Sequence, residues 1–171
     1  MGLTPADLMT LPAPANGRHY ELSDGELIVV GNAGFRRELI KSRVLRALFA
    51  WAGQNPQWKV FAETQFTLGE RTARIPNAAV VSAEKLALLV EADVATDFAP
   101  NLAVEVVSVS ESEWDAERKV SEYLAADVEE VWQECMNFRA MNKCFPEEKT
   151  MIRLKAAERR LTTVDSGDIR P

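Results

Sequence analysis

Seven residues, Leu102-Ala103-Val104-Glu105-Val106-Val107-Ser108, constrain this chain more than any other stretch. Most of these positions suit a buried β-strand, and the middle one is a carboxylate. Burying a charge costs several kcal/mol unless it is paired or bound to a metal. Glu105 is therefore either part of a functional site or the inner half of an ion pair. Lys119 lies further on, in a helical segment that can fold back over that strand, and is the natural partner. Upstream, Arg74-Ile75-Pro76-Asn77-Ala78-Ala79-Val80-Val81 places a second polar residue, Asn77, at the mouth of another apolar run. Pro76 cannot donate to a sheet ladder, so that strand begins after it.

The rest of the chain supplies a frame for these strands. Thr4 caps a short helix, with Pro5 in its first turn and Asp7 near its positive end. Tyr20 to Leu22 and Glu26 to Val30 flank Asp24-Gly25, a hairpin signal. Leu39, Ile40, Val44, Leu45, Leu48, Phe49 and Trp51 recur at helical spacing and predict an amphipathic helix of about 15–20 residues. Arg36, Arg37, Lys41, Arg43 and Arg46 make that helix locally basic, which reads as a solvated face before it reads as a phosphate-facing one.

Val60 to Leu68 reads as one strand, and Glu70-Arg71-Thr72 as a charged turn. Ser82 caps a short helix reaching Leu89. Ser110, with Glu113 three residues on, predicts a capping box for a helix from Glu111 to about Ala126. Val128 to Cys135 and Phe138 to Phe145 read as strands, and Met151 to Thr163 fits either a helix or a pair of strands. Strands and helices interleaved around one buried strand predict an α/β (α+β) domain spanning residues 1–171, a central mixed β-sheet flanked by helices.

Composition narrows the function. No apolar run approaches the ~20 residues that span a bilayer, so no membrane partner is expected. No basic segment precedes an apolar one at the N-terminus, so no signal peptide is expected. Cys135 and Cys144 form no CxxC pair and read as reduced cytoplasmic thiols. His19 is the only histidine, which excludes a multi-histidine metal centre, and it reads as structural or solvent-facing. Trp51, Trp114 and Trp132 read as core or interface residues. With 26 acidic and 20 basic residues the net charge is −6, so contact with DNA must come from a local patch or from several subunits together.

Four segments carry a family resemblance. Tyr20-Glu21-Leu22-Ser23-Asp24-Gly25-Glu26-Leu27 is similar to the YELxDGEL opening of a large bacterial restriction endonuclease family, and Arg74 to Val80 to its RxPDVAxV segment. Leu102 to Ser108 resembles its LxVEVxS strand. Lys119-Val120-Ser121-Glu122-Tyr123-Leu124-Ala125-Ala126-Asp127-Val128, then Val131-Trp132, resembles its KxxEYLxAGVxxVW helix and strand. The resemblance runs in order from about residue 4 to 135. It implies the restriction-endonuclease-like fold of the PD-(D/E)xK nucleases, with the lysine moved from the strand to the following helix. It also implies Mg²⁺ or Mn²⁺, DNA as substrate and a homodimer.

In such a site carboxylates from two neighbouring strands hold a hard cation that activates water and polarises the scissile phosphate, and a lysine stabilises the developing charge. Carried over, Glu105 and Asn77 are the metal ligands, and Glu105, Lys119 and Asn77 the catalytic set. Glu21 and Glu26 are candidates to line the cleft. The decisive departure is Asn77, which stands where the family has aspartate and brings no charge to a cation. Arg37 lies where many members have a histidine, Asp127 replaces a glycine, and Gln133-Glu134-Cys135-Met136 replaces the usual sequence after the tryptophan. The resemblance thus leaves two functions: an Mg²⁺-dependent DNA endonuclease impaired at Asn77, or an inactive homologue that binds DNA or protein.

Overall fold

The computed structural model describes residues 2–31, 34–87, 98–107, 111–135, 150–155 and 161–165. It opens with α1 (Pro5–Thr10), where Thr4 Oγ1 accepts from the Asp7 N–H and the Asp7 carboxylate accepts from the Thr4 N–H. This reciprocal capping box satisfies two of the amides that a helix start leaves free. The hairpin follows as β1 (His19–Ser23) and β2 (Glu26–Val30), paired from His19↔Val30 to Ser23↔Glu26. Its two turn residues both have positive φ, 45° at Asp24 and 80° at Gly25. That is the backbone of a two-residue hairpin loop, and it favours glycine. A Cβ at Gly25 would also lie 2.5 Å from the Arg71 guanidinium, which crosses over the turn.

The predicted long helix is α2 (Phe35–Gln54). Its Val44, Leu45, Leu48 and Trp51 pack on Ala78, Val80 and Val104, whereas Leu39 and Phe49 remain exposed. The run read as one strand from Val60 to Leu68 is two, β3 (Trp58–Ala62) and β4 (Phe66–Gly69). Glu63 between them has a φ of 48°, a left-handed residue that ends the first strand. The segment read as a charged turn runs into β5 (Thr72–Arg74), too short to show alternation but buried at Ala73 and Arg74. After Pro76 come β6 (Ala78–Ser82) and α3 (Ala83–Leu86), capped by Ser82. Leu89, expected to end α3, lies outside the described residues.

β7 (Leu102–Val107) is the strand around Glu105. It runs antiparallel to β6 and parallel to β8 (Glu130–Cys135), to which α4 (Glu113–Ala125) connects it. The N-cap of α4 is Ser112, which accepts from the Asp115 N–H, two residues later than the expected Ser110–Glu113 box. The Ser-x-x-acid spacing occurs twice here, and use of the second leaves Glu111 outside the helix, where it faces Lys119. Of the two readings of Met151 to Thr163, the strand pair is the one that forms: β9 (Thr150–Lys155) and β10 (Leu161–Asp165) are antiparallel. The strand expected at Phe138 to Phe145 lies outside the described residues.

The expected mixed sheet is present, in the order β10-β9-β8-β7-β6-β3, and a second, antiparallel sheet of order β2-β1-β5-β4 accompanies it. Alternation along β7 sends Val104 toward α2, and Ala103 toward Val120 and Tyr123 of α4. Glu105 shares the face of Ala103, so it points at α4. Trp51 and Trp132 pack against the α2 side, but Trp114 is largely exposed with the Arg118 guanidinium 4.4 Å from its ring centre.

α4 ends in a Schellman motif, Val128 N–H to Tyr123 C=O and Asp127 N–H to Leu124 C=O. Asp127 holds the left-handed position with a φ of 59°, which accounts for the glycine in the resembling family. Asp127→Gly is therefore expected to stabilise the protein by about 0.5–1 kcal/mol in urea unfolding; a loss of stability would mean that the aspartate side chain contributes more than its backbone strain costs.

Candidate functional site

Four elements bring the site together. Glu21 points inward from β1, Arg74 from β5, Glu105 from β7, and Lys119, Glu122 and Tyr123 from α4. Residues 119, 122 and 123 share one face of that helix because they are three and four apart.

Arg74 is the buried hub. Its Nη1 donates to Glu21 Oε2 at 2.9 Å and its Nε to Glu122 Oε2 at 2.6 Å. Glu122 also accepts from the Ser23 hydroxyl. Glu21 accepts from the Ile75 N–H at 3.1 Å and lies 3.3 Å from Lys119 Nζ. Burial pushes the Glu21 carboxyl upward, but Lys119 and Arg74 outweigh it and the net direction is down. Glu21 is thus an anion locked between two cations.

Lys119 sits 3.3 Å from Glu21 and 3.6 Å from Glu111. Burial alone would lower its pKa, but Glu105, Glu21 and Glu111 together raise it, so it stays charged. Glu105 itself takes its hydrogen bond from the Tyr123 hydroxyl, at 2.8 Å, rather than from Lys119. Burial raises the Glu105 carboxyl above the usual range, with Lys119 opposing. Burial, and then Glu105, also push the Tyr123 phenol up, so Tyr123 remains a donor.

Asn77 lies where β6 and β7 stop pairing. The ladder runs from Val80↔Leu102 to Ala78↔Val104, and one step beyond it the Asn77 Oδ1 accepts the Val106 N–H at 2.7 Å. The same oxygen meets Arg37 Nη2 at 3.4 Å. Asn77 thus accepts a backbone amide that lies beyond the last paired residues of the β6–β7 ladder. It also lines an open cleft of about 330 Å³ together with His19, Arg37, Glu38, Lys41 and Glu63. Lys41 is held by Glu38 at 2.6 Å and Glu63 at 2.8 Å. His19, expected to be structural or solvent-facing, lines this cleft, and burial lowers its pKa, so it is neutral at pH 7.

Glu21, Glu105 and Lys119 therefore converge around α4, Asn77 is bonded to the backbone of β7 and to Arg37, and Glu26 does not join them. It is exposed and sits 3.7 Å from Arg118. Arg74, Glu122 and Tyr123 were not singled out in the sequence as site residues. Arg74 precedes the Ile-Pro-Asn segment and the other two share the helical face of Lys119, which is the signal that marks them in retrospect.

A hard divalent cation wants several oxygen ligands with negative charge among them. Among the described residues, no group of three or more His, Cys, Asp or Glu side chains is placed to hold one. The Asn77 oxygen is occupied by an amide, Glu105 is drawn toward its neutral form, and Glu21 is committed to Arg74 and Lys119. These residues do not fit the Mg²⁺ or Mn²⁺ that the resemblance implies.

The two inner carboxylates oppose each other in pH dependence. Glu21, lowered, contributes stability present above the unfolded carboxyl value of about 4.3 and lost as pH falls through its folded value. Glu105, raised, favours the fold while protonated and loses that contribution as pH rises through its folded value. Glu105→Gln is therefore expected to be more stable than the native protein at pH 7, and nearly equal to it at about pH 3.5, where both side chains are neutral. Urea unfolding at the two pH values checks this; a less stable variant at pH 7 would mean that the Glu105 charge is net stabilising.

Over residues 5–140 the chain matches the model of the Uma2 family, described as "Putative restriction endonuclease". Among solved structures it is similar to "a putative nuclease belonging to DUF820" from Anabaena variabilis. That likeness has a TM-score of 0.75 at 16% identity and covers 97% of this chain and 86% of that one. At that identity it speaks for the fold, the mixed α/β arrangement with flanking helices. No curated protein matches the chain. The family match runs from α1 past β8 and takes in Glu21, Asn77, Glu105 and Lys119, and this chain belongs to the Uma2 restriction endonuclease family.

Proposed function

We propose that this chain is a DNA endonuclease of its family whose Mg²⁺-dependent hydrolysis is impaired at Asn77, and that it binds DNA at the cleft in front of that residue. One observation carries the reading: the Asn77 amide oxygen is the hydrogen-bond partner of the Val106 N–H. A neutral oxygen so engaged adds no charge to a metal site, and the neighbouring carboxylate is held toward its protonated form. Glu105 faces α4, Lys119 remains charged, and Glu21 fixes the position of Lys119.

The reading favours impairment over full activity on the charge count. An aspartate at 77 can accept the same Val106 N–H with one oxygen and offer the other, with its charge, to a cation. Two ionised carboxylates on adjacent strands are what a hard ion selects for. Asparagine in their place removes half of that charge.

Calorimetric titration with Mg²⁺ and Mn²⁺ tests this on the native protein and on Asn77→Asp. The native protein is expected to bind at least about tenfold more weakly than Asn77→Asp, whose binding disappears when Glu105→Ala is added. Nicking of supercoiled plasmid is expected to follow the same order. Equal binding and cleavage by the native protein and Asn77→Asp would overturn the proposal.

A further inference from the structure

We infer that Arg37 takes over the place of the missing cation, so that the cleft binds a phosphate group of DNA without any metal. This deepens the preceding reading and rests on it. Arg37 is in the first turn of α2, and its guanidinium Nη2 meets Asn77 Oδ1 at 3.4 Å. Its Nε is buried with no hydrogen-bond partner. Among the described residues the guanidinium meets no carboxylate, and it lines the cleft. A guanidinium with unused donors beside a cavity is suited to a phosphate, whose oxygens match its planar fork.

The neighbours support an anion here. Lys41 is one turn along α2 in the same cleft, and it holds both Glu38 and Glu63, which keeps those carboxylates from Arg37. Asn77 is neutral; an aspartate there would pair with Arg37 and consume its donors. The single substitution that weakens the site for a cation therefore frees it for an anion. Arg37 and Lys41 balance Glu38 and Glu63 in charge, so the attraction is local. It should show the salt slope of about one phosphate contact rather than of a broad basic surface.

The test is fluorescence anisotropy of a labelled duplex DNA in EDTA, with inorganic phosphate as competitor. Thermal melting confirms that each variant is folded. The native protein is expected to bind, to be displaced by inorganic phosphate, and to lose at least about tenfold in affinity in Arg37→Gln. Arg37→Lys keeps the charge but not the fork and should recover only part of that loss. Asn77→Asp, without metal, should bind more weakly than the native protein.

Each other outcome overturns the inference. No binding in EDTA shows that the cleft takes no phosphate on its own. Unchanged binding in Arg37→Gln places recognition elsewhere on the surface. Arg37-dependent binding that phosphate fails to displace shows that some other part of DNA is recognised. The two readings fail separately. Asn77→Asp that gains metal while Arg37→Gln binds DNA normally removes this inference alone. Arg37-dependent DNA binding with no metal gained by Asn77→Asp removes the preceding one alone.

Discussion

The buried ion pair between Arg74 and Glu21 is the constraint on which the site depends. Arg74 comes from β5 and Glu21 from β1, in the smaller sheet, while Glu122 and Lys119, which complete the cluster, come from the helix lying on the larger one. The cluster thus fixes how α4 meets the hairpin. Such a pair is a weak source of net stability, because desolvation offsets much of the attraction. Losing one partner is another matter: it strands the other charge in the interior at about 3–5 kcal/mol. That asymmetry holds the arrangement in place once formed, and it sets Lys119 beside β7 with its charge intact.

Beside that cluster stand Glu105 and Asn77. Asn77 immediately precedes β6, and Glu105 lies within the neighbouring strand β7. Here one is an amide bonded to the Val106 backbone and the other is drawn toward neutrality by burial. An amide at position 77 carries one negative charge fewer than an aspartate would, and this bears on both sides of the residue. Inward, it weakens the case for a cation. Outward, among the described residues, the Arg37 guanidinium meets the Asn77 oxygen and no carboxylate.

Much of this frame was legible in the sequence because it rests on local rules. Asp24-Gly25 specified the hairpin, Pro76 the start of β6, and the apolar run around Glu105 a buried strand with an anomaly inside it. The departures at Asn77 and Asp127 were visible as residue types, although only the backbone shows why a glycine suits position 127. What escaped was set by contacts between distant segments. β5 has three residues, so its pattern cannot distinguish strand from turn, and the burial of Arg74 depends on Glu21 and Glu122, 53 and 48 positions away. The second sheet was missed for the same reason, since its strands pair across the long helix in sequence. Glu26 looked equivalent to Glu21, but the hairpin puts one at the exposed edge and the other in the interior. The cap of α4 was displaced because the same Ser-x-x-acid spacing occurs twice in succession, so spacing alone cannot choose between the two serines.

The most direct measurement is paramagnetic broadening by Mn²⁺ in ¹H–¹⁵N spectra, read at the Val106 amide. If Asn77 has replaced a metal ligand with a structural hydrogen bond, that amide stays sharp in the native protein at Mn²⁺ concentrations that erase it in Asn77→Asp. Selective loss of the Val106 signal in the native protein would place the ion beside Asn77 and Glu105, and would contradict the account.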